Sequence, residues 1–129
     1  MKKILVLDDD KDHLRIVSFI LTESEYDVRT LSHGETIFEE IADFRPDLIL
    51  MDVMLAGLDG RIICRSIKEN PLLSSMPVIL ISITHDLAES MHLPGAPNDY
   101  IAKPLDIDRL LNSVKKQLES KVLLNKPLE

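Results

Sequence analysis

Ile4-Leu5-Val6-Leu7-Asp8-Asp9-Asp10 is an apolar run that ends in three acids. Four apolar residues in an unbroken row read as a strand buried on both faces, the habit of central parallel strands. A second run, Leu48-Ile49-Leu50-Met51, ends the same way in Asp52. Two such strands, parallel and adjacent, bring four carboxylates to one edge of a sheet, where like charges repel unless a cation intervenes. Oxygen ligands with several open positions suit Mg²⁺, which accepts one or two carboxylates together with waters and phosphate oxygens. An acid beside such a cation can act as a nucleophile toward a phosphoryl group. The simpler alternative, acids that cap strand ends and helix starts, accounts for Asp10 or Asp12 ahead of a helix. It accounts poorly for the gathering of acids at strand ends that a sheet would bring together.

Outward from these runs, strand and helix signals alternate without a long linker. Lys11 to Ser24 carries Leu14, Val17, Ile20 and Leu21 at helical spacing. Tyr26–Leu31 reads as a second strand, and residues 35–42 as a short helix with Ile37, Phe38 and Ile41 on one side. Pro46 separates it from the strand at residues 48–51. Gly57 and Gly60 flank a loop before a helix over residues 61–69, which Asn70-Pro71 stops. Pro77 opens a strand over residues 78–81. A weak helix is expected over residues 86–92 ahead of Pro94-Gly95, then a brief strand at residues 100–102. Asp106 caps a long amphipathic helix with Leu110, Leu111, Val114 and Leu118 on one face. Five β–α units in this order imply a parallel sheet covered by helices on both faces.

The 129 residues fit one domain. A hydrophobic fraction of 45% with 29% charged residues is that of a globular protein. Net charge is -7, from 15 basic and 22 acidic side chains, which argues against a general grip on nucleic acid. Cys64 is the single cysteine, so no intramolecular disulfide forms, and its apolar neighbours mark it as a small core residue. The first apolar run is too short for a signal peptide or membrane span, so no membrane contact is expected and a cytoplasmic location follows as the default. His13, His33, His85 and His92 are scattered without ligand spacing. Residues 125–129 read as a tail beyond the domain.

In open parallel sheets, ligands bind beyond the carboxyl ends of the strands. The residues there are Asp8, Asp9 and Asp10, then Asp52, Ser82 and Lys103. Acids for a metal, one hydroxyl and one ammonium are the parts that hold a phosphoryl group.

These residues, with Pro46-Asp47-Leu48-Ile49-Leu50-Met51-Asp52-Val53-Met54, Gly57-Leu58-Asp59-Gly60, Pro77-Val78-Ile79-Leu80-Ile81-Ser82 and Asp99-Tyr100-Ile101-Ala102-Lys103-Pro104, resemble the receiver domain of two-component response regulators. The resemblance runs from about Lys2 to about Leu123, and residues 1–124 are read as the receiver. It implies a flavodoxin-like (βα)5 fold, a five-stranded parallel sheet of order 2-1-3-4-5. Chemotaxis receivers share that fold. It implies that Asp52 is the phosphoacceptor, that Asp9 ligates Mg²⁺ with Asp8 assisting through water, and that Met54 lends its backbone carbonyl. Ser82 would hydrogen-bond the phosphoryl group, Lys103 would pair with it, and Ser82 with Tyr100 would form a conformational switch. Lys103-Pro104 would be cis. The implied partner is a sensor histidine kinase or phosphotransfer protein, with a homodimer through the last helix and last strand as an open assembly. The domain would catalyse only its own phosphorylation and dephosphorylation. It would stand alone or form one module of a longer protein.

The chain departs from the family pattern at three places. Ala56 stands where proline is usual, so a looser acceptor loop is expected, whereas Ile83 follows Ser82 where a small residue is usual, so its branched side chain is expected to crowd the phosphoryl site. The segment from His85 to Asn98 is short before Gly95-Ala96 and carries Pro94 and Pro97. Two rival classes remain. A haloacid-dehalogenase-type phosphatase would use Asp8 as nucleophile and Asp10 as acid–base group, but Asp12 stands where its threonine belongs. A receiver acting by binding alone, without phosphorylation, is opposed by the full acid–serine–lysine set.

Overall fold

The computed structural model describes residues 1–83 and 94–124. The helix expected over residues 86–92 and the tail at 125–129 lie outside the described residues. In chain order the elements are β1 (Lys3–Leu7), α1 (Lys11–Glu23), β2 (Asp27–Leu31), α2 (Ile37–Phe44), β3 (Leu48–Asp52), β4 (Met54–Leu55), β5 (Leu58–Asp59), α3 (Gly60–Glu69), β6 (Val78–Ser82), β7 (Asp99–Ala102) and α4 (Ile107–Leu124). Five of the strands form one sheet in the order β2-β1-β3-β6-β7, and every pairing in it is parallel. With the two-residue arms β4 and β5 set aside, this is the expected 2-1-3-4-5 order of the flavodoxin-like fold.

Strand alternation divides the core into two layers. On one face Ile4, Val6, Leu48, Leu50, Ile79, Ile81 and Ile101 pack against Leu14, Val17 and Leu21 of α1 and Leu110, Val114 and Leu118 of α4. On the other, Leu5, Leu7, Ile49, Met51, Val78 and Leu80 pack against Ile37, Ile41 and Phe44 of α2 and Ile63, Cys64 and Ile67 of α3. Strands β1 and β3 meet helices on both sides, which is why their sequences are unbroken apolar runs. Cys64 is fully buried, and burial pushes its thiol up to about 11. It is a core residue, as its neighbours suggested. Among the described residues, no helix is long and apolar enough to cross a membrane.

Two local features differ from expectation. Helix α2 spans Ile37–Phe44, two residues later than its apolar pattern suggested, because Phe44 joins Ile37 and Ile41 in the core. The chain leaves it at Arg45, in the left-handed region at φ 54°, ahead of Pro46. The segment before α3 is a tight antiparallel hairpin, Met54 opposite Asp59 and Leu55 opposite Leu58, rather than an open loop. Gly57 turns it at φ 74°, a conformation glycine adopts without strain.

Candidate functional site

The carboxyl ends of β1, β3, β6 and β7 lie side by side in the parallel sheet, and the ladder continues one residue past the ends of β1, β3 and β7. Asp8 N–H donates to Leu31 O at 3.1 Å, Val53 N–H to Ile81 O at 2.9 Å, and Lys103 N–H to Ser82 O at 2.9 Å. The backbone thus fixes where Asp8, Asp52, Ser82 and Lys103 emerge. Asp8, Asp52 and Ser82 are buried at 2%, 4% and 1% exposure, so the site lies in a recess of the sheet edge.

Asp52 is held at both oxygens. Its Oδ1 accepts the Met54 amide at 3.1 Å, and its Oδ2 accepts Lys103 Nζ at 2.6 Å. Ligand oxygens of Asp8, Asp9 and Asp52 lie within 4.8 Å of one another. The expected set of four carboxylates is therefore three. Asp10 turns away to cap α1, accepting from Asp12 N at 3.0 Å and His13 N at 3.3 Å. This commitment removes the acid–base group that the phosphatase reading required, and that reading is set aside. Hard oxygen donors, two buried and one exposed, fit Mg²⁺ by number and type.

The remaining expected residues lie on or just after β3, β6 and β7. Met54 follows Asp52 by two positions with its side chain mostly in solvent. Tyr100 is half-buried and packs against the core layer of α2 and α3. The Lys103-Pro104 bond is cis. Ile83, the residue after Ser82, is 60% exposed, so most of its side chain meets solvent. Strand β6 ends at Ser82, and the next side chain turns outward.

Behind the site, Asp99 anchors the start of the strand that carries Tyr100 and leads to Lys103. Its carboxylate accepts Arg109 at 3.0 and 3.1 Å and the Ser113 hydroxyl at 2.5 Å. Burial pushes its carboxyl up, but these bonds and the Tyr100 amide together hold it below its ordinary value.

His13 was missed by sequence reasoning, which looked for ligand spacing among histidines. Its Nδ1 lies 2.5 Å from Asp8 Oδ2. The available signal was its place as third residue of α1 after the Asp10 cap. A side chain there reaches back over the helix start toward the preceding strand end.

The profile of the response regulator receiver domain matches residues 4–115, which contain every residue of this recess. The chain belongs to this family. The receiver domain is 32% identical over 124 residues to response regulator PleD of Caulobacter vibrioides, covering 95% of this chain and 27% of PleD. It is 34% identical over 119 residues to response regulator ArlR of Staphylococcus saprophyticus, covering 92% of this chain and 53% of ArlR. The chain thus spans about a quarter of one curated relative and about half of the other. A CheY-like response regulator receiver domain protein from Methanospirillum hungatei superposes with a TM-score of 0.87 at 25% identity, over 97% of this chain and 99% of that one.

Proposed function

We propose that this receiver domain accepts a phosphoryl group on Asp52 from a phosphohistidine of a sensor kinase or phosphotransfer protein. The observation that carries the reading is the buried Asp52 carboxylate, held by Lys103 at 2.6 Å beside Asp8 and Asp9. In the transfer, an Asp52 oxygen attacks phosphorus, the P–N bond to the donor imidazole breaks, and an acyl phosphate forms. Lys103 exchanges its bond to Asp52 Oδ2 for one to a phosphoryl oxygen. The Ser82 hydroxyl, at the end of the neighbouring strand, takes another. Asp8, Asp9, Asp52 and the Met54 carbonyl would hold Mg²⁺, which supplies charge compensation as the phosphoryl group moves.

Phosphorylation then signals through Ser82 and Tyr100. Recruitment of Ser82 to the phosphoryl group shifts the end of β6 and frees the space into which half-buried Tyr100 turns. Residues 1–124 form this signalling unit, which acts on no separate substrate, and its setting is the cytoplasm. The similarity to PleD and ArlR, both response regulators, supports an output carried elsewhere in the full protein or by a bound partner.

The test is incubation with acetyl phosphate and Mg²⁺ followed by intact-mass spectrometry. The wild type gains one phosphoryl group and Asp52→Asn gains none. Equal labelling of the two proteins would falsify the assignment.

A further inference from the structure

Asp8 is 2% exposed, and both of its oxygens are engaged. Oδ1 accepts the Asp10 amide at 2.9 Å, and Oδ2 faces His13 Nδ1 at 2.5 Å. In the tautomer that carries the ring proton on Nδ1, this nitrogen donates and Asp8 Oδ2 accepts. The other ring nitrogen, Nε2, is buried and has no partner among the described residues. The ring is 17% exposed and is turned toward Asp8. His13 is not one of the residues whose ligand atoms all lie within 4.8 Å of one another, so it touches the cluster through Asp8 without belonging to it.

We propose that His13 is a positioning residue for the divalent cation, a role that rests on reading Asp8, Asp9 and Asp52 as the cradle. A buried carboxylate beside two others is pushed by like charge to rotate away from them. The Asp10 amide alone holds one oxygen and leaves the carboxylate plane free to turn. The His13 bond fixes the second oxygen, so Asp8 keeps one face toward Asp9 and Asp52. Helix α1 makes the arrangement rigid, since the Asp10 side chain that caps it also binds the His13 amide at 3.3 Å. Partners of this kind, which hold a metal-site carboxylate without touching the metal, set affinity by roughly 10–100-fold.

The opposite sign would hold if His13 only offset repulsion in the metal-free protein, because its loss would then tighten cation binding. Calorimetric titration of the whole chain with Mg²⁺ separates the two. His13→Leu weakens binding by roughly tenfold or more. His13→Asn recovers most of the loss, because its amide N–H can take the place of Nδ1–H. Long-range ¹H–¹⁵N spectra of the wild type show the ring proton on Nδ1, with that signal moving when Mg²⁺ is added. Equal or tighter binding by the leucine variant, or a bare Nδ1, overturns the proposal. If the leucine variant does not fold, the nitrogen spectrum decides alone. A wild type that takes up no Mg²⁺ overturns the cradle itself, whereas a wild type and leucine variant that bind alike overturn only His13.

Discussion

A Cβ built on Gly60 would lie 2.3 Å from the Asp52 carbonyl oxygen and 3.0 Å from Val53 Cα. Both are backbone atoms and cannot swing aside. Gly60 also donates its N–H to Val53 O at 2.8 Å, so the start of α3 is seated directly on the end of β3. Gly60→Ala must therefore move one against the other, and overpacking of this kind costs about 1–3 kcal/mol. The expected outcome is a lower urea midpoint together with slower labelling by acetyl phosphate, since the displaced atoms belong to Asp52. An unaltered midpoint would show that the two elements separate freely. The role of this glycine was not legible beyond a loop boundary, because the close approach arises from a hairpin whose arms are two residues each. Arms that short carry no periodicity. Asp8, Asp52 and Lys103 were legible because each directly follows an apolar or strand-like run, and strand ends are where a parallel sheet gathers its functional side chains.

Helix α1 and strand β7 show how an element places the site. The third acid of the opening triplet belongs to α1, not to the cluster of Asp8, Asp9 and Asp52, and this gives a clean separation. Asp10→Ala removes the cap of α1 and should lower stability by about 1 kcal/mol. Labelling of Asp52 should persist, because the Asp10 amide that holds Asp8 is backbone. Loss of labelling without loss of stability would place Asp10 back among the ligands. At β7, Asp99 is bound by Arg109 and Ser113, and its folded carboxyl lies below the ordinary 3.8. The native state then binds fewer protons than the unfolded chain in the window just under that value. Its stabilisation is complete above the window and is lost as pH falls through the folded pKa. The stability gap between wild type and Asp99→Asn should hold steady at neutral pH and shrink below about pH 4 in urea melts. Because Asp99 and Arg109 are partly solvated, the gap at pH 7 should be about 1 kcal/mol. A gap that grows with acidification would contradict the assignment.

For the whole molecule, the sheet order and both core layers could be read from alternating strand and helix signals. The position of α2 could not, because Phe44 is drawn into the core only by tertiary packing. The same sheet puts all of the site's charge at one edge, and this couples ligand to stability. Three acids against Lys103 make the metal-free edge a source of repulsion, so a cation that binds only the folded state stabilises it by mass action. At a concentration 100 times its dissociation constant, Mg²⁺ should add about 2.7 kcal/mol. That is a rise of about 10 °C in Tm for a domain of this size. Asp9→Asn should lose most of the rise while its metal-free form melts higher than wild type, one repelling charge being gone. Equal shifts in both proteins would remove Asp9 from the cradle.

The burial of Cys64 also determines how this protein can be watched at work. At pH 8 a thiol pushed to about 11 is ionised to about one part in a thousand. An ordinary exposed cysteine is ionised to about a quarter. The chain also has no tryptophan. Cys64 should therefore react with maleimides far more slowly than an exposed cysteine, and the chain has no indole to fluoresce. A cysteine placed at Ile83, at the mouth of the site, should take up one maleimide dye while the parent protein takes up none in the same time, as read by intact mass. The dye would then report from the rim of the Asp52 recess as the acyl phosphate forms and decays.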